Sequence, residues 1–335
     1  MLDLAARHPI WRMPPWVAER VRTALGEGWD VVEVGTLADS DGDGAGSADA
    51  GRAAQGAEVY VGFGIPRPVL DAARGTLRWV HTAAAGVGGA VRLLQGTDVR
   101  ATNSAGVHAE PMADWALAAI LHFARGLDVV VRAQADRRWA KEAFTNGRRR
   151  FPEVSQLAIG IVGLGGIGRA VARRAVALGC TVRGVRRHAE RAVPGVLEVR
   201  GPEGLLDVAR VSDVVVVATP GTTATANLID ASVFAALPPG AVLVSLSRGR
   251  CVDETALLAA LEGGRLGGAA LDVFVEEPLP SAHPFWAHPR VLVSPHVSSV
   301  SDRFWEREAE LLVDNVSRYV TGRALRNLVD PEAGY

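Results

Sequence analysis

The stretch Leu157 to His188, LAIGIVGLGGIGRAVARRAVALGCTVRGVRRH, restricts what this chain can fold into more than any other. Leu157 to Val162 is an apolar run too short for a free helix and bounded by glycine, so it reads as a buried strand. Gly163, Gly165 and Gly168 follow in G-x-G-x-x-G spacing, with Gly166 and Ile167 between the last two. Ile167, Val171, Ala172, Ala175 and Leu178 recur at helical period, and Gly179 closes the helix. Thr181 to Val185 is a second apolar strand. Strand, glycine turn, helix and strand in about thirty residues form a dinucleotide-binding unit. The first glycine allows a tight turn, the second lets backbone approach a pyrophosphate, and the third lets helix and sheet pack closely. The helix N-terminus supplies free N–H groups for the phosphates. Gly163, Gly165, Gly166, Ile167 and Gly168 are therefore expected on the cofactor.

The end of the second strand bears on which dinucleotide binds. NAD units usually carry Asp or Glu there for the ribose 2′-hydroxyl, whereas NADP sites place Arg nearby. Here Arg186, Arg187 and His188 follow the strand, and no carboxylate occurs before Glu190. A guanidinium can grip a 2′-phosphate through paired, charge-assisted hydrogen bonds. Arginine is this chain's ordinary cation, since Lys141 is the one lysine among 36 lysines and arginines. That lowers the weight of any single Arg without accounting for the missing acid. The reading is NADP(H) in preference to NAD(H).

A length of 335 residues suggests two domains with ample core. A formal net charge of −1 argues against a nucleic-acid or membrane-surface role that rests on bulk electrostatics. Cys180 and Cys251 alone make a disulfide framework unexpected and fit a reducing, cytoplasmic setting. The opening MLDLAARHPIWRMPPW lacks a long apolar core, so no signal peptide is expected, nor is any run long enough for a membrane span.

Earlier in the chain, residues 16 to 25 read as an amphipathic helix, Trp29 to Val34 as a strand, and Leu37 to Gln55 as a solvated loop. Asp39, Asp41, Asp43 and Gly44 imitate the start of a calcium loop, but the twelfth position, where a bidentate Glu belongs, is Ala50; no metal site is expected. Glu58 to Phe63, Leu77 to Thr82 and Val99 to Thr102 read as strands. The second ends in Ala83-Ala84-Ala85-Gly86-Val87-Gly88, a small-residue turn whose amides can face an anion. Val107 to Gly126 reads as one long, largely apolar helix, with His122 as a packed histidine, and Arg132 to Phe151 as a surface connection holding Trp139. After the fingerprint, strands at Val211 to Ala218, Ala241 to Ser245, Leu266 to Leu271 and Val291 to Ser294 alternate with helices at Ser232 to Leu237 and Glu254 to Glu262. A last helix runs from about Asp302 to Tyr319. The alternation predicts an α/β chain with a doubly wound parallel sheet.

Ligands of such sheets bind beyond the carboxyl ends of strands, and Thr219, Arg248, Asp272 and His296 share that address. A nicotinamide cofactor points to hydride transfer. Reducing a carbonyl then needs a proton donor, for which His296 is the natural candidate. Glu277 can hold its other ring nitrogen, and Arg248 can bind a carboxylate. Each has a plainer reading: a loop cap for His296, a solvated turn for Glu277, and a pair with Asp253 for Arg248.

These segments resemble the D-isomer-specific 2-hydroxyacid dehydrogenases over nearly the whole chain. VLVSLSRGRCVDETALLAAL is similar to the family's segment around its substrate-binding arginine, here Arg248. GAALDVFVEEPLP is similar to that of the acidic partner, here Glu277, and VLVSPHVSS to that of the acid–base histidine, here His296. The 29 positions from Arg248 to Glu277 fit the family's interval. LRWVHTAAAGVG resembles the carboxylate-binding loop, implying the Ala85 and Gly86 amides on the substrate; Asn103 and the final NLVDPEAGY also fit. The resemblance implies a discontinuous, flavodoxin-like substrate domain, 1–104 with 300–335, around a Rossmann cofactor domain, 105–299, and a homodimer built largely on the cofactor domains. It also implies Asp272 on the nicotinamide carboxamide, with Thr219, Pro220, Ser247, His296 and Ser298 lining the cofactor. Arg186 and Arg187 resemble the NADPH-preferring glyoxylate and hydroxypyruvate reductases. Gly88 stands where Asp is common, Asp114 where Glu is usual, and Ser298-Ser299 replaces a small-residue pair. Two other readings share the fold: a formate-oxidising relative, against which Glu277 speaks because a glutamine is typical there, and a corepressor-like nicotinamide sensor, which would carry extended partner-binding tails.

Overall fold

A computed structural model describes residues 1–34 and 46–331 of the chain. They fall in two compact units, Met1–His108 with Val300–Tyr335, and Ala109–Ser299.

The first unit contains β1 (Leu2–Asp3), α1 (Pro15–Leu25), α2 (Ala50–Ala53), β2 (Val59–Gly62), α3 (Arg67–Ala72), β3 (Trp79–Thr82) and β4 (Arg100–Asn103). β1 to β4 form a parallel sheet in that order. Trp29 to Val34 forms no full strand. Glu33 makes a single parallel bridge to Leu2, with Leu2 N–H donating to Val32 O and Val34 N–H to Leu2 O. That segment lies outside β1, which gives the sheet a flavodoxin-like order with the second segment in sequence at its edge. α2 falls inside the stretch read as loop, and Asp39, Asp41, Asp43 and Gly44 lie outside the described residues.

The second unit contains α4 (Ala109–Ala124), α5 (Leu127–Ala135), α6 (Glu142–Thr145), β5 (Ala158–Val162), α7 (Gly166–Ala177), β6 (Thr181–Val185), β7 (Glu198–Arg200), α8 (Leu205–Arg210), β8 (Val214–Val217), α9 (Ala231–Ala236), β9 (Ala241–Ser245), α10 (Glu254–Glu262), β10 (Leu266–Leu271) and β11 (Val291–Val293). Its parallel sheet has the order β11-β10-β9-β8-β5-β6-β7. Strand order reverses between β5 and β8, the switch point where a doubly wound sheet opens a crevice. β8 and β9 are buried along their whole length, as strands covered on both faces must be. α4 and α7 pack on one face with Ile159 and Ile161, and α8, α9 and α10 on the other with Val215 and Leu243. Asp114 and Glu110 of α4 both pair with Arg174 of α7, at 2.7 and 2.8 Å. The Arg173 hydrogen bond, then Arg174, holds the Glu110 carboxyl below its ordinary range.

The long helix expected to reach Gly126 stops at Ala124, where Gly126 takes φ 67 and α5 begins. β7 was not legible either, because it is three half-buried residues at the sheet edge in which Val199 stands alone between Glu198 and Arg200.

α11 (Phe304–Val320) returns to the first unit. Its Leu312 and Val316 share a core with Val17 and Val21 of α1. His81 of β3 and Glu308 of α11 are both fully buried, with Nε2 and Oε1 2.9 Å apart, while His81 Nδ1 lies 2.7 Å from Thr102 Oγ1. This buried polar network fastens the last helix to the first sheet. Among the described residues, no helix is long and apolar enough to cross a membrane.

Candidate active site

The turn after β5 separates two demands on glycine. Gly163 takes φ 101 and lies against Ala218, and a Cβ on Gly168 would fall 2.0 Å from Gly163 O. Both are fixed by the fold. Gly165 takes an ordinary backbone angle, and a Cβ there would meet nothing within 4 Å. The space over Gly165 is open at the N-terminus of α7, beside the amides of Gly166 and Ile167. That is the cradle a pyrophosphate needs. These residues fit the dinucleotide that the sequence implies.

At the end of β6, the Arg186 backbone N–H bonds Arg200 O, and its side chain makes no ion pair among the described residues. Arg187 and His188 are exposed beside it, and Glu190 stands 3.5 Å from His188 Nδ1. No carboxylate occupies the strand end itself.

Arg248 follows β9 and is exposed, its Nη1 donating to Ser247 O at 2.7 Å. It forms no ion pair with a carboxylate among the described residues. Asp253, its plausible sequence partner, instead caps α10 by accepting from Ala256 N–H at 3.0 Å. Gly221 makes room for the Arg248 stem, since a Cβ there would lie 2.7 Å from Arg248 Cγ.

His296 lies three residues beyond β11, with its backbone at φ 55 in the left-handed region. Its Nδ1 is 2.8 Å from Glu277 Oε2. The other Glu277 oxygen accepts from Phe274 N–H at 2.8 Å. Nδ1 must carry a proton to donate to a carboxylate, which leaves Nε2, without a hydrogen bond among the described residues, as the outward atom.

Asp272 is fully buried, and its Oδ1 accepts from Ser294 Oγ at 2.6 Å and Val297 N–H at 2.9 Å. Its Oδ2 accepts from Ser298 N–H at 3.0 Å. A buried carboxylate needs several donors, and these bracket His296 on both sides. Ser298 is buried, its Oγ without a hydrogen bond among the described residues. Thr219 Oγ1 contacts Cys251 Sγ at 3.8 Å, Pro220 O accepts from Thr225 Oγ1 at 2.7 Å, and Ser247 is buried.

In the first unit, the loop after β3 is shaped by Asn103, whose amide donates to Ala85 O at 2.8 Å. Ser104 N–H donates to Ala84 O, and Ala84 N–H to Thr82 Oγ1. The amides of Ala85 and Gly86 donate to no acceptor among the described residues. Glu254, not singled out from the sequence, accepts from Val275 N–H at 2.8 Å. Its signal was only that it follows a helix cap. Among the described residues, no group of three His, Cys, Asp or Glu is placed to hold a metal ion.

The family model for the NAD binding domain of D-isomer specific 2-hydroxyacid dehydrogenases matches residues 117–298. The glyoxylate/hydroxypyruvate reductase A of Photorhabdus laumondii is 34% identical over 224 residues, covering 67% of this chain and 68% of that protein. A D-isomer specific 2-hydroxyacid dehydrogenase from Xanthobacter autotrophicus Py2, solved with NADPH and MES, superimposes with a TM-score of 0.79 at 31% identity over 96% of each chain. An NADPH-dependent glyoxylate/hydroxypyruvate reductase from Sinorhizobium meliloti, solved with NADP and sulfate, gives a TM-score of 0.77 at 27% identity, covering 100% of this chain and 98% of that one. The chain belongs to the D-isomer specific 2-hydroxyacid dehydrogenase family and is an NAD(P)-dependent enzyme of that family.

Proposed function

We propose that this enzyme is an NADPH-linked reductase of small 2-oxo acids, of the glyoxylate and hydroxypyruvate class, forming the D-2-hydroxy acid. The observation that carries this reading is the His296–Glu277 pair at 2.8 Å, together with an Arg248 guanidinium that has no carboxylate partner among the described residues. When bound, the nicotinamide cofactor supplies the hydride to the carbonyl carbon. Arg248 binds the substrate carboxylate with its planar fork and polarises the neighbouring carbonyl. Nε2 of His296 donates the proton to the carbonyl oxygen, and Glu277 steadies the ring and its charge through Nδ1. The Ala85 and Gly86 amides add donors for the carboxylate. Gly163 to Gly168, Thr219, Pro220, Ser247 and Ser298 line the cofactor. Asp272 is assigned to this lining as well, with its carboxylate serving the histidine loop.

The preference for NADPH is supported by Arg186 and Arg187 at the end of β6, and by the NADPH and NADP held in two similar structures. A homodimer through the second unit is supported by its exposed apolar surface. Val131 is 58% and Trp139 91% exposed, and Val130 and Phe144 line a groove of about 690 Å³ beside Trp139.

Replacing His296 by Ala tests the assignment. The expected result is a kcat lower by about 10² or more, with the NADPH Kd, read by nucleotide fluorescence, within about twofold. Equal losses in turnover and cofactor binding would overturn it.

A further inference from the structure

Arg248 and Glu277 sit on two different loops, and one carboxylate outside the candidate site joins those loops. The turn Gly249–Cys251 leads from Arg248 into α10, whose first residue is Glu254. Glu254 Oε1 accepts from Val275 N–H at 2.8 Å, while the preceding amide, Phe274 N–H, donates to Glu277 Oε1 at 2.8 Å. Two carboxylates thus grip two successive peptide groups. Gly249 brings its turn against the same peptide, since a Cβ there would fall 1.8 Å from the Phe274 carbonyl carbon and 2.3 Å from Val275 N.

Glu254 has no competing task in its own helix. Asp253 already caps α10 through Ala256 N–H. The Glu254 side chain is 20% exposed, and its second oxygen faces His283 Nε2 at 3.9 Å, beyond hydrogen-bond length. His283 uses Nδ1 to accept from Phe285 N–H.

We propose that Glu254 is a positioning residue for the reaction: by holding Val275 N–H it fixes the 274–277 segment so that Glu277 presents Oε2 to His296 Nδ1. This rests on the reading of His296 and Glu277 as the acid–base pair. Without the Glu254 bond the 274–275 peptide can turn, and the anchor of Glu277 Oε1 turns with it. A small misplacement of a proton-transfer group is costly in rate and nearly silent in substrate binding.

The test is a double-mutant cycle with conservative rescue. E254A is expected to lower kcat about tenfold, with KM for glyoxylate and Kd for NADPH within about twofold. E254Q keeps a carbonyl acceptor and is expected within about twofold of wild type. In an E277Q background, E254A is expected to cost less than about twofold, because the group it positions is already altered. E254L, of retained bulk, replaces E254A if the smaller variant melts near assay temperature. Amide exchange at residues 274–277 is expected to quicken in E254A or E254L and not in E254Q. Equal factors in both backgrounds, or a raised KM with unchanged kcat, would overturn the positioning role while leaving the acid–base pair in place. Wild-type kcat in E277Q alone would overturn the pair, and the positioning role with it.

Discussion

At the scale of single residues, the proposed chemistry depends on groups that the fold leaves unsatisfied. Among the described residues, the Arg248 guanidinium hydrogen-bonds only its neighbour's carbonyl, and Nε2 of His296 has no partner. Both were legible in the sequence because they follow apolar runs at strand ends. Glu277 was legible by spacing and family likeness. The partners of Asp272 were not, since two of its three donors are backbone amides of a loop and leave no mark on residue identity. The same holds for Glu254 and Val275 N–H. If Arg248 acts as a planar fork and not simply as a positive charge, R248K should lower kcat/KM for glyoxylate by about 10², mostly through KM. Steady-state kinetics check this, and an R248K enzyme with unchanged KM would remove the carboxylate-binding role.

At the scale of elements, strong periodicity was easy to read and weak pairing was not. β6, β9, β10 and α10 lie where the sequence placed them, because each is a run of one period closed by glycine or a polar cap. β1 is two residues long and β7 three, with one apolar residue, Val199, so neither carries a pattern. Both exist because a neighbouring strand offers them an edge. α5 was not read as a helix, and its last residues, from Arg132, were assigned to the surface connection, because its exposed Leu127, Val130 and Val131 do not follow the polarity of a surface helix. The glycine turn after β5 separates folding from binding. G168A should lower Tm by several degrees, because its Cβ meets Gly163 O at 2.0 Å. G165A should leave Tm unchanged and weaken NADPH binding about tenfold or more, because its Cβ enters only the open cradle. A thermal melt beside a binding titration distinguishes the two; a G165A enzyme that binds as wild type would move the pyrophosphate elsewhere.

At the scale of the whole molecule, the sequence carried the fold class, since two parallel sheets follow from alternating strand and helix. It carried the return of the last helix to the first unit only through family likeness. The buried His81–Glu308 contact that fastens that helix joins residues more than two hundred positions apart, beyond any local pattern. The 35.3 kDa chain places the open glycine cradle, Arg248 and His296 beyond strand ends of one sheet in its second unit. The central claim is that these together reduce a 2-oxo acid with NADPH. The measurement that tests it most directly is loss of nicotinamide absorbance with NADPH and with NADH, against glyoxylate and hydroxypyruvate, using pyruvate and phenylpyruvate to gauge pocket size. Turnover of glyoxylate or hydroxypyruvate, with kcat/KM for NADPH at least about tenfold above that for NADH, is the expected result. Turnover with NADH alone would contradict the role given to Arg186 and Arg187, and NADPH binding without turnover of any 2-oxo acid would contradict the reductase itself.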